Sequence, residues 1–264
     1  TTRRRLTRGG LYALFIALVG GVVLVTDWGR LRQQFFQLDI ARQQFPEIVT
    51  VAARNTVLFT AIAFTAGFLL GLALALMKMS PVAPFRWLAT AYVEIFRGLP
   101  ALLTIFATTL VVPIAFGVRI PGFFGFGRFA TAGLVGLIIV AAAYIAEVLR
   151  AGIEAVPKGQ AEAARSLGMS PARTMISVVF PQAIRTVLPP LTNEFVLLIK
   201  DTSLILIAVG GAPLDRELTD FARVSVQATG NATPMIMAAM MYLLITIPLT
   251  RLVAWMERRA ARSR

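Results

Sequence analysis

The 264-residue chain contains no cysteine and no histidine. It therefore has no thiolate or imidazole ligand for a metal, no cysteine nucleophile and no serine–histidine–aspartate triad. We predict no catalytic residues and no metal site. None of the lysines, Lys78, Lys158 and Lys200, follows a glycine, so a Walker A nucleotide-binding loop is absent as well. We expect this chain to bind no cofactor directly.

Charged residues are also scarce, at 15%, while 57% of the residues are hydrophobic. A transmembrane helix needs about 20 mostly apolar residues. Five charge-free runs approach or exceed that length, namely residues 9–26, 55–77, 98–118, 129–146 and 224–250. A sixth segment, 185–211, is apolar but carries Glu194, Lys200 and Asp201, so it must face protein or water if it spans. We predict an all-α polytopic membrane protein with about six transmembrane helices.

The beginning of the chain allows two interpretations. Residues 9–26 follow four arginines, as the apolar part of a signal peptide would, but no small-residue cleavage site follows Val25. We interpret them as a retained helix. In the next segment, residues 31–45, the apolar side chains lie on one stripe of a helix, which predicts an interfacial amphipathic helix. A binding role for this segment is the alternative.

The net charge of +13 would suggest nucleic acid as a partner of a soluble protein. Six apolar spans leave no soluble basic domain, so we expect the lipid bilayer as partner and no nucleic acid. Both ends of the chain are rich in arginine, and six crossings put both ends on one side. The positive-inside rule then places both termini in the cytoplasm.

The most informative polar stretch is residues 150–182, between the fourth and fifth predicted spans. We predict two short helices in it. The first begins near Pro157 and ends before Gly168, which suits the left-handed position after a helix. The second is capped by Ser170 and continues until Pro181 breaks it.

The first of these helices has a predicted face of small residues at Ala161, Ala163 and Ala164, with Glu162 and Arg165 around it. Small side chains let another protein approach closely, and charges can fix its orientation. A plain connecting loop is the alternative, but such loops are usually far shorter. The segment therefore predicts a docking element.

The spacing of Glu162-Ala163-Ala164 and Gly168, followed by Val178, Phe180 and Pro181, resembles the EAA loop of membrane subunits of ATP-binding-cassette (ABC) importers. Further segments are similar to the polar amino-acid permeases of this family, namely residues 92–100, 146–152, 159–160, 180–185 and 200–204. Two features depart from the pattern. Leu99 stands where many members have threonine, and many members have five spans.

The resemblance implies a five-helix type I importer core with one additional N-terminal helix. Residues 1–50 would hold the basic N-terminus, the additional helix and the outer amphipathic segment. Residues 51–256 would form the permease domain, with the EAA hairpin at 150–182, and residues 257–264 a basic cytoplasmic tail. The expected location is the plasma (cytoplasmic or inner) membrane of a prokaryote.

The resemblance also implies partners. These are ABC ATPase subunits that use ATP and Mg²⁺, a second permease subunit that is identical or related, and an extracytoplasmic amino-acid-binding protein. Glutamate and glutamine are the first substrates to consider. The residues expected to couple the chain to the ATPase are Glu162, Ala163, Ala164, Gly168, Arg165 and Gly159.

The substrate path is expected along the fifth span. Glu194 and Asp201 are seven residues apart and share a helix face, with Asn193 and Lys200 on an adjoining stripe. A proline pair at 189–190 is expected to bend or interrupt this helix. The proposed path residues are Asn193, Glu194, Lys200, Asp201, Thr202 and Ser203. The alternative is that Lys200 and Asp201 neutralise each other, or pair with Glu147 or Arg97, to hold the bundle together.

Two further pairs are spaced three residues apart on a helix, Glu94 with Arg97 and Glu147 with Arg150. Either local ion pairing or a gating role explains them, and a hinge is expected between residues 98 and 100. An ion-coupled secondary amino-acid transporter would also carry charges in the membrane. That alternative function leaves the hairpin unexplained, and the chain shows no internal hydropathy repeat.

Overall fold

A computed structural model describes residues 2–118, 120–205 and 212–262 of the chain. All regular structure within them is helical, which confirms the predicted all-α class. In chain order the helices are α1 Thr2–Val25, α2 Trp28–Phe35, α3 Leu38–Glu47, α4 Arg54–Lys78, α5 Ala83–Gly98, α6 Ala101–Phe106, α7 Val112–Phe116, α8 Arg128–Glu154, α9 Lys158–Ser166, α10 Pro171–Thr174, α11 Phe180–Asp201, α12 Leu218–Thr229 and α13 Thr233–Arg262. Three π-helical turns, Ile48–Ala53, Ala107–Val111 and Met175–Val179, lead directly into α4, α7 and α11, and a 3-10 turn, Pro213–Asp215, precedes α12.

Three helical segments in the described residues are long and apolar enough to cross a bilayer. They are Trp28–Lys78, which contains α4, Arg128–Glu154 and Thr233–Arg259. The bent pair Ala83–Gly98 and Ala101–Phe116 makes a fourth if it counts as one span. The apolar part of α1, Gly10–Val25, is shorter. The number of membrane crossings, about six, therefore stays a prediction.

Close contact between α4 and α8 forms the centre of the bundle. Gly67 and Gly71 are one turn apart on α4 and face alanines of α8. A Cβ atom on Gly71 would lie 2.9 Å from the carbonyl oxygen of Ala142. Small residues four apart are typical of membrane helices whose backbones pack closely. Larger apolar side chains, among them Phe59 and Leu137, fill the core on either side.

The third apolar run does not continue straight from the helix before it. α5 ends at Gly98, and the helical stretch Ala101–Phe116 is inclined to it by 108°. Leu99 is extended, with φ −91° and ψ 142°, a conformation favoured by the following Pro100. Glu94 and Arg97 therefore lie on a helix separate from the one that follows the bend.

The last apolar run, 224–250, is divided between α12 and α13, so the prediction of one helix there was wrong. Gly230 has φ +64°, the left-handed conformation that commonly ends helices. Asn231 Oδ1 then accepts a hydrogen bond from the Thr233 N–H at 2.9 Å. The absence of charged residues over 224–250 could not indicate that one helix ends and another begins here.

The second helix of the hairpin does not end at Pro181, contrary to the prediction. The π turn Met175–Val179 precedes α11, and Pro181 falls in the first turn of α11, where a missing N–H removes little. The same helix also continues through Pro189 and Pro190 without interruption. Helical backbone therefore runs continuously from α10 to Asp201.

The segment between the first two spans forms two helices, α2 and α3, rather than the single helix predicted over 31–45. Phe36 departs from helical geometry, with φ −134°. The loop between them contacts the start of α13. The Gln37 N–H donates to Thr233 Oγ1 at 2.9 Å, and Asn231 Nδ2 donates to the Gln33 carbonyl at 2.8 Å.

The α4–α8 contact predicts a sharp difference between two glycines. Gly71→Ala should lower the free energy of unfolding by about 1 to 3 kcal/mol, because its methyl group meets backbone atoms that cannot move aside. Gly21→Ala in α1 is the matched control, since a Cβ atom there meets nothing within 4 Å. Thermal unfolding of the detergent-solubilised protein measures both. Equal midpoints for the two variants would contradict the close α4–α8 packing.

Candidate functional site

The first arm of the predicted hairpin is α9, which begins after Pro157 and ends one residue before Leu167. Gly168 has φ +83°, a conformation that costs little only for glycine. Its N–H donates to the Arg165 carbonyl at 3.0 Å, and the Met169 N–H donates to the Ala164 carbonyl at 3.2 Å. The chain therefore reverses through a glycine-dependent turn, as the sequence predicted.

The faces of α9 differ from the prediction. Ala164 is only 6% exposed, and Ala161 is partly buried against the cluster that contains Ile153 and Val179. The three alanines therefore do not form one outward face, because two of them pack inward against the adjoining helices. Ala163 remains exposed.

The outward surface of α9 combines this alanine with charged neighbours. Glu162, Arg165 and Gly159 are all exposed, and a Cβ atom on Gly159 would meet nothing within 4 Å. Leu167 at the tip is 86% exposed, and the sequence analysis missed it. Its position directly before Gly168 was the available signal.

Both arms of the hairpin connect directly to long helices. Only Ala155, Val156 and Pro157 separate α8 from α9. In the other arm, Ser170 Oγ caps α10 by accepting a hydrogen bond from the Arg173 N–H at 3.3 Å, and α10 leads without a break into α11. The hairpin is therefore held by α8 and α11.

A cluster of charges joins three helices at the hairpin end of the bundle. Glu147 on α8 accepts a hydrogen bond at 3.0 Å from Lys78 at the end of α4. Arg97 on α5 lies 4.0 Å from the same carboxylate. Arg150 pairs with both Glu147 and Glu154 on α8. One carboxylate thus has three cationic neighbours.

The three-residue spacing of Glu94 and Arg97 had suggested a local ion pair between them, with a gating role as the alternative. Glu94 is exposed and forms no ion pair with any residue that the structure describes. Arg97 turns toward α8 instead, where its guanidinium lies 5.5 Å from the centre of the Tyr144 ring. A same-helix spacing could not predict this, because the partner is on another helix.

The structure places the proposed path residues near the end of α11. Asn193 and Lys200 are exposed, whereas Glu194 and Asp201 are half-buried. The Glu194 carboxylate is within electrostatic range of both Arg97 and Asp201. Glu194 therefore has an acidic neighbour on its own helix and a basic neighbour on α5.

The two hydroxyl residues of the path bond within the helix end. Thr202 is buried and donates to the Ile199 carbonyl at 2.7 Å, and Ser203 donates to the Lys200 carbonyl at 2.6 Å. Lys200 acts electrostatically on Asp201, but no ion pair joins them in the described structure. Lys200 is left available to another charged group.

The sequence analysis also missed a buried polar cluster at the opposite end of the bundle. Glu217 and Asp220 are each 2% exposed, and Tyr242 on α13 contacts Glu217. The available signal was an acidic residue directly before the apolar face of α12, a position typical of a helix N-cap.

The chain is similar in sequence to known membrane transport proteins. Residues 67–262 match the family described as the inner membrane component of binding-protein-dependent transport systems. A probable glutamine ABC transporter permease, GlnM of Bacillus subtilis (strain 168), is 41% identical over 79% of this chain and 91% of its own length. A glutamate/aspartate import permease, GltK of Escherichia coli O157:H7, is 32% identical over 78% of this chain and 90% of its own.

Comparison with solved structures also identifies ABC transporters. An amino acid ABC transporter crystallised with histidines matches with a TM-score of 0.71 and 37% identity, covering 82% of this chain and 95% of that one. The inward-facing MetNI methionine transporter, at 19% identity and a TM-score of 0.65, shares the fold. The fold and the hairpin define a membrane permease of the type I importer class. The chain belongs to the family of permease subunits of binding-protein-dependent ABC importers.

Family membership confirms the resemblance drawn from the EAA motif and identifies the chain as a transport component. It also decides against the ion-coupled secondary transporter. That alternative depended only on charges within the membrane, which both classes share.

Two Glu→Gln substitutions should differ in their effect on the free energy of unfolding, because only Glu147 belongs to the ion-pair cluster. Glu147→Gln leaves Lys78 and Arg150 without their shared carboxylate, so the free energy of unfolding should fall by about 1 to 3 kcal/mol. Glu94→Gln on α5 should change it little. Thermal unfolding in detergent compares the two variants. If Glu147→Gln unfolds at the temperature of Glu94→Gln, the cluster does not hold these helices together.

Proposed function

We propose that this chain is the transmembrane permease subunit of an ATP-driven importer for polar amino acids, with glutamate and glutamine as the first substrates to test. The observation that carries the proposal is α9, a short helix with exposed charges at one end of a bundle of apolar helices. The names of the relatives, a glutamine permease and a glutamate/aspartate permease, support the substrate class.

Coupling depends on the outward face of α9. This face, with Glu162, Ala163 and Arg165, would rest in a cleft of a separate ATPase subunit that binds ATP and Mg²⁺. A small side chain between two charges lets the partner approach and fixes its orientation. Ala164 would act from the inner side by fixing α9 against the helices, so that the hairpin moves as a rigid body with them.

The assembly requires further subunits. A second permease, identical or related, would complete the path, and an extracytoplasmic binding protein would deliver the amino acid. The arginine-rich ends of the chain support a cytoplasmic location of both termini in a prokaryotic cell, because cytoplasmic segments carry an excess of basic residues. α9 is then on the cytoplasmic side, where ATP is available.

The substrate path is proposed along the part of α11 from Asn193 to Asp201, where the Arg97 side chain of α5 acts electrostatically on Glu194. An amino acid carries an ammonium and a carboxylate, and this region offers cations at Arg97 and Lys200 and anions at Glu194 and Asp201. Asn193, Thr202 and Ser203 add neutral polar groups to the same stretch. The absence of a direct ion pair between Lys200 and Asp201 favours a ligand site over a purely structural pair.

Substitution of Gly168 tests the coupling role. Gly168→Val places a β-branched residue at φ +83°, so uptake should fall at least tenfold while the permease still folds. Gly168→Asn is the matched control, because asparagine tolerates this conformation and should retain most activity. ATP-driven uptake into proteoliposomes containing the complete transporter measures both. Normal uptake by Gly168→Val, or uptake driven by an ion gradient without ATP, would refute the proposal.

Substitution of path residues tests the substrate site. Asn193→Ala and Asp201→Asn should raise the substrate concentration for half-maximal uptake about fivefold or more, since each removes a polar partner of the amino acid. Glu94→Gln on α5 serves as the control. Size-exclusion chromatography checks folding and assembly. Loss of assembly with unchanged apparent affinity would assign these residues to the structure of the bundle instead.

A further inference from the structure

The second arm of the hairpin changes its winding where it enters α11. In the π turn Met175–Val179, the Phe180 N–H donates to the Met175 carbonyl, five residues before it. A regular α-helix pairs residues four apart. π turns are rare, and they occur mostly as single turns within α-helices at functional sites. This one lies between the proposed docking element and the helix that carries the proposed path.

Pro181 accounts for the position of this turn. In a regular α-helix its ring would collide with the Ser177 carbonyl, four residues earlier, and it has no N–H to donate to that carbonyl. The π turn Ala107–Val111 has the same relation to a proline, because it ends two residues before Pro113. The sequence therefore builds the wider winding into the arm at a fixed place.

The Gln182 side chain fastens the turn to α11. Its Nε2 donates to the Val178 carbonyl at 2.9 Å. Val178 belongs to the π turn, and Gln182 lies in the first turn of α11, directly after Pro181. The bond therefore spans a residue that cannot donate a hydrogen bond from its own backbone.

The turn is packed on the side that faces α8. Val179 and Ala183 are buried there with Ile153 and Val156, around the end of α8. Ile176 on the turn is 69% exposed. A helix that is held on one side can bend toward its open side. The winding of the turn therefore depends on its own hydrogen bonds, including the one from Gln182.

We propose that Gln182 is a positioning residue for transport, which acts through the Val178 carbonyl to hold α10 and α11 in a fixed relative orientation. A displacement of the hairpin then reaches α11, with the proposed path from Asn193 to Asp201, as the movement of one rigid element. Without this bond the π turn bends and absorbs part of the displacement. This inference rests on the proposed function, because it assigns Gln182 a role in the coupling by that same hairpin.

Two substitutions of nearly equal size separate the hydrogen bond from the shape of the side chain. Threonine hydroxyls in helices donate to the carbonyl four residues earlier, and Thr192 on α11 donates in this way to Leu188 at 2.9 Å. Gln182→Thr therefore keeps a donor for Val178, whereas Gln182→Val has a methyl group in place of the hydroxyl. Gln182→Met, which is unbranched like glutamine, is a second variant without a donor.

The first experiment uses the permease alone in detergent. In hydrogen–deuterium exchange of residues 175–183, Gln182→Val and Gln182→Met should exchange about three- to tenfold faster than wild type, because a hydrogen bond that closes the turn is lost. Gln182→Thr should stay close to the wild type. Gln227→Met, at an exposed glutamine of α12, is the matched control. Unchanged exchange in the two variants without a donor, or equal acceleration in Gln182→Thr, overturns the inference, whether or not the chain recruits an ATPase.

The second experiment uses the complete transporter in proteoliposomes with loaded binding protein. It compares ATP hydrolysis with the uptake of radiolabelled glutamine or glutamate, whichever the wild type imports. The two variants without a donor should import about threefold fewer amino acids per ATP hydrolysed, whereas Gln182→Thr should keep the wild-type ratio.

This ratio separates positioning from a purely structural role, which would lower uptake and hydrolysis together. A wild-type ratio in Gln182→Val and Gln182→Met, or an equal loss in Gln182→Thr, overturns the inference. Failure of the wild type to recruit an ATPase contradicts the proposed function instead, while the exchange experiment still decides whether Gln182 holds the turn.

Discussion

The close approach of helix backbones around α8 is the constraint on which the rest of the structure depends. In lipid, apolar side chains gain little from contact with protein rather than acyl chains, so tight packing decides which helices associate. A Cβ atom on Gly136 would lie 2.8 Å from Ile105 Cα, and one on Gly152 only 1.9 Å from Val187 Cγ2. Together with the contact at Gly71, these glycines bring three other helical segments against α8.

This packing explains how a small hairpin could move a large bundle. The contact at Gly152 lies immediately before the hairpin, where α8 packs tightly against α11, and α9 is connected to both helices. The Glu147 cluster adds α4 and α5 at the same end of the bundle. In the proposed mechanism, a displacement of α9 would be transmitted to these four helices at once.

The sequence predicted features that depend on local chemistry. The all-α class followed from charge-free runs, and the hairpin turn followed from Gly168 and Ser170. Features that depend on tertiary partners were missed. The inward position of Ala161 follows from the path of α8 and α11, which no local pattern contains. Likewise, Arg97 pairs across helices rather than with Glu94, three residues away.

Two further differences have backbone causes. A π turn before Pro181 moves that proline into a first helical turn, where its missing N–H has little effect. A left-handed Gly230 divides an apolar run that composition alone treats as continuous. The Glu217 cluster was invisible for a third reason, because its members come from α12 and α13. Sequence patterns thus predicted the two helices and the glycine turn of the hairpin, but of the charged residues only a single helix face.

The outward face of α9 can be tested directly because the chain has no cysteine of its own. Ala163→Cys and Ala164→Cys place single thiols one residue apart, on the exposed and the buried side of the helix. Each variant, co-expressed with the ATPase subunit, is treated with a thiol-reactive photo-cross-linker. The account predicts an adduct with the ATPase from Ala163→Cys and almost none from Ala164→Cys. An active complex in which Ala163→Cys gives no ATPase adduct would contradict the account.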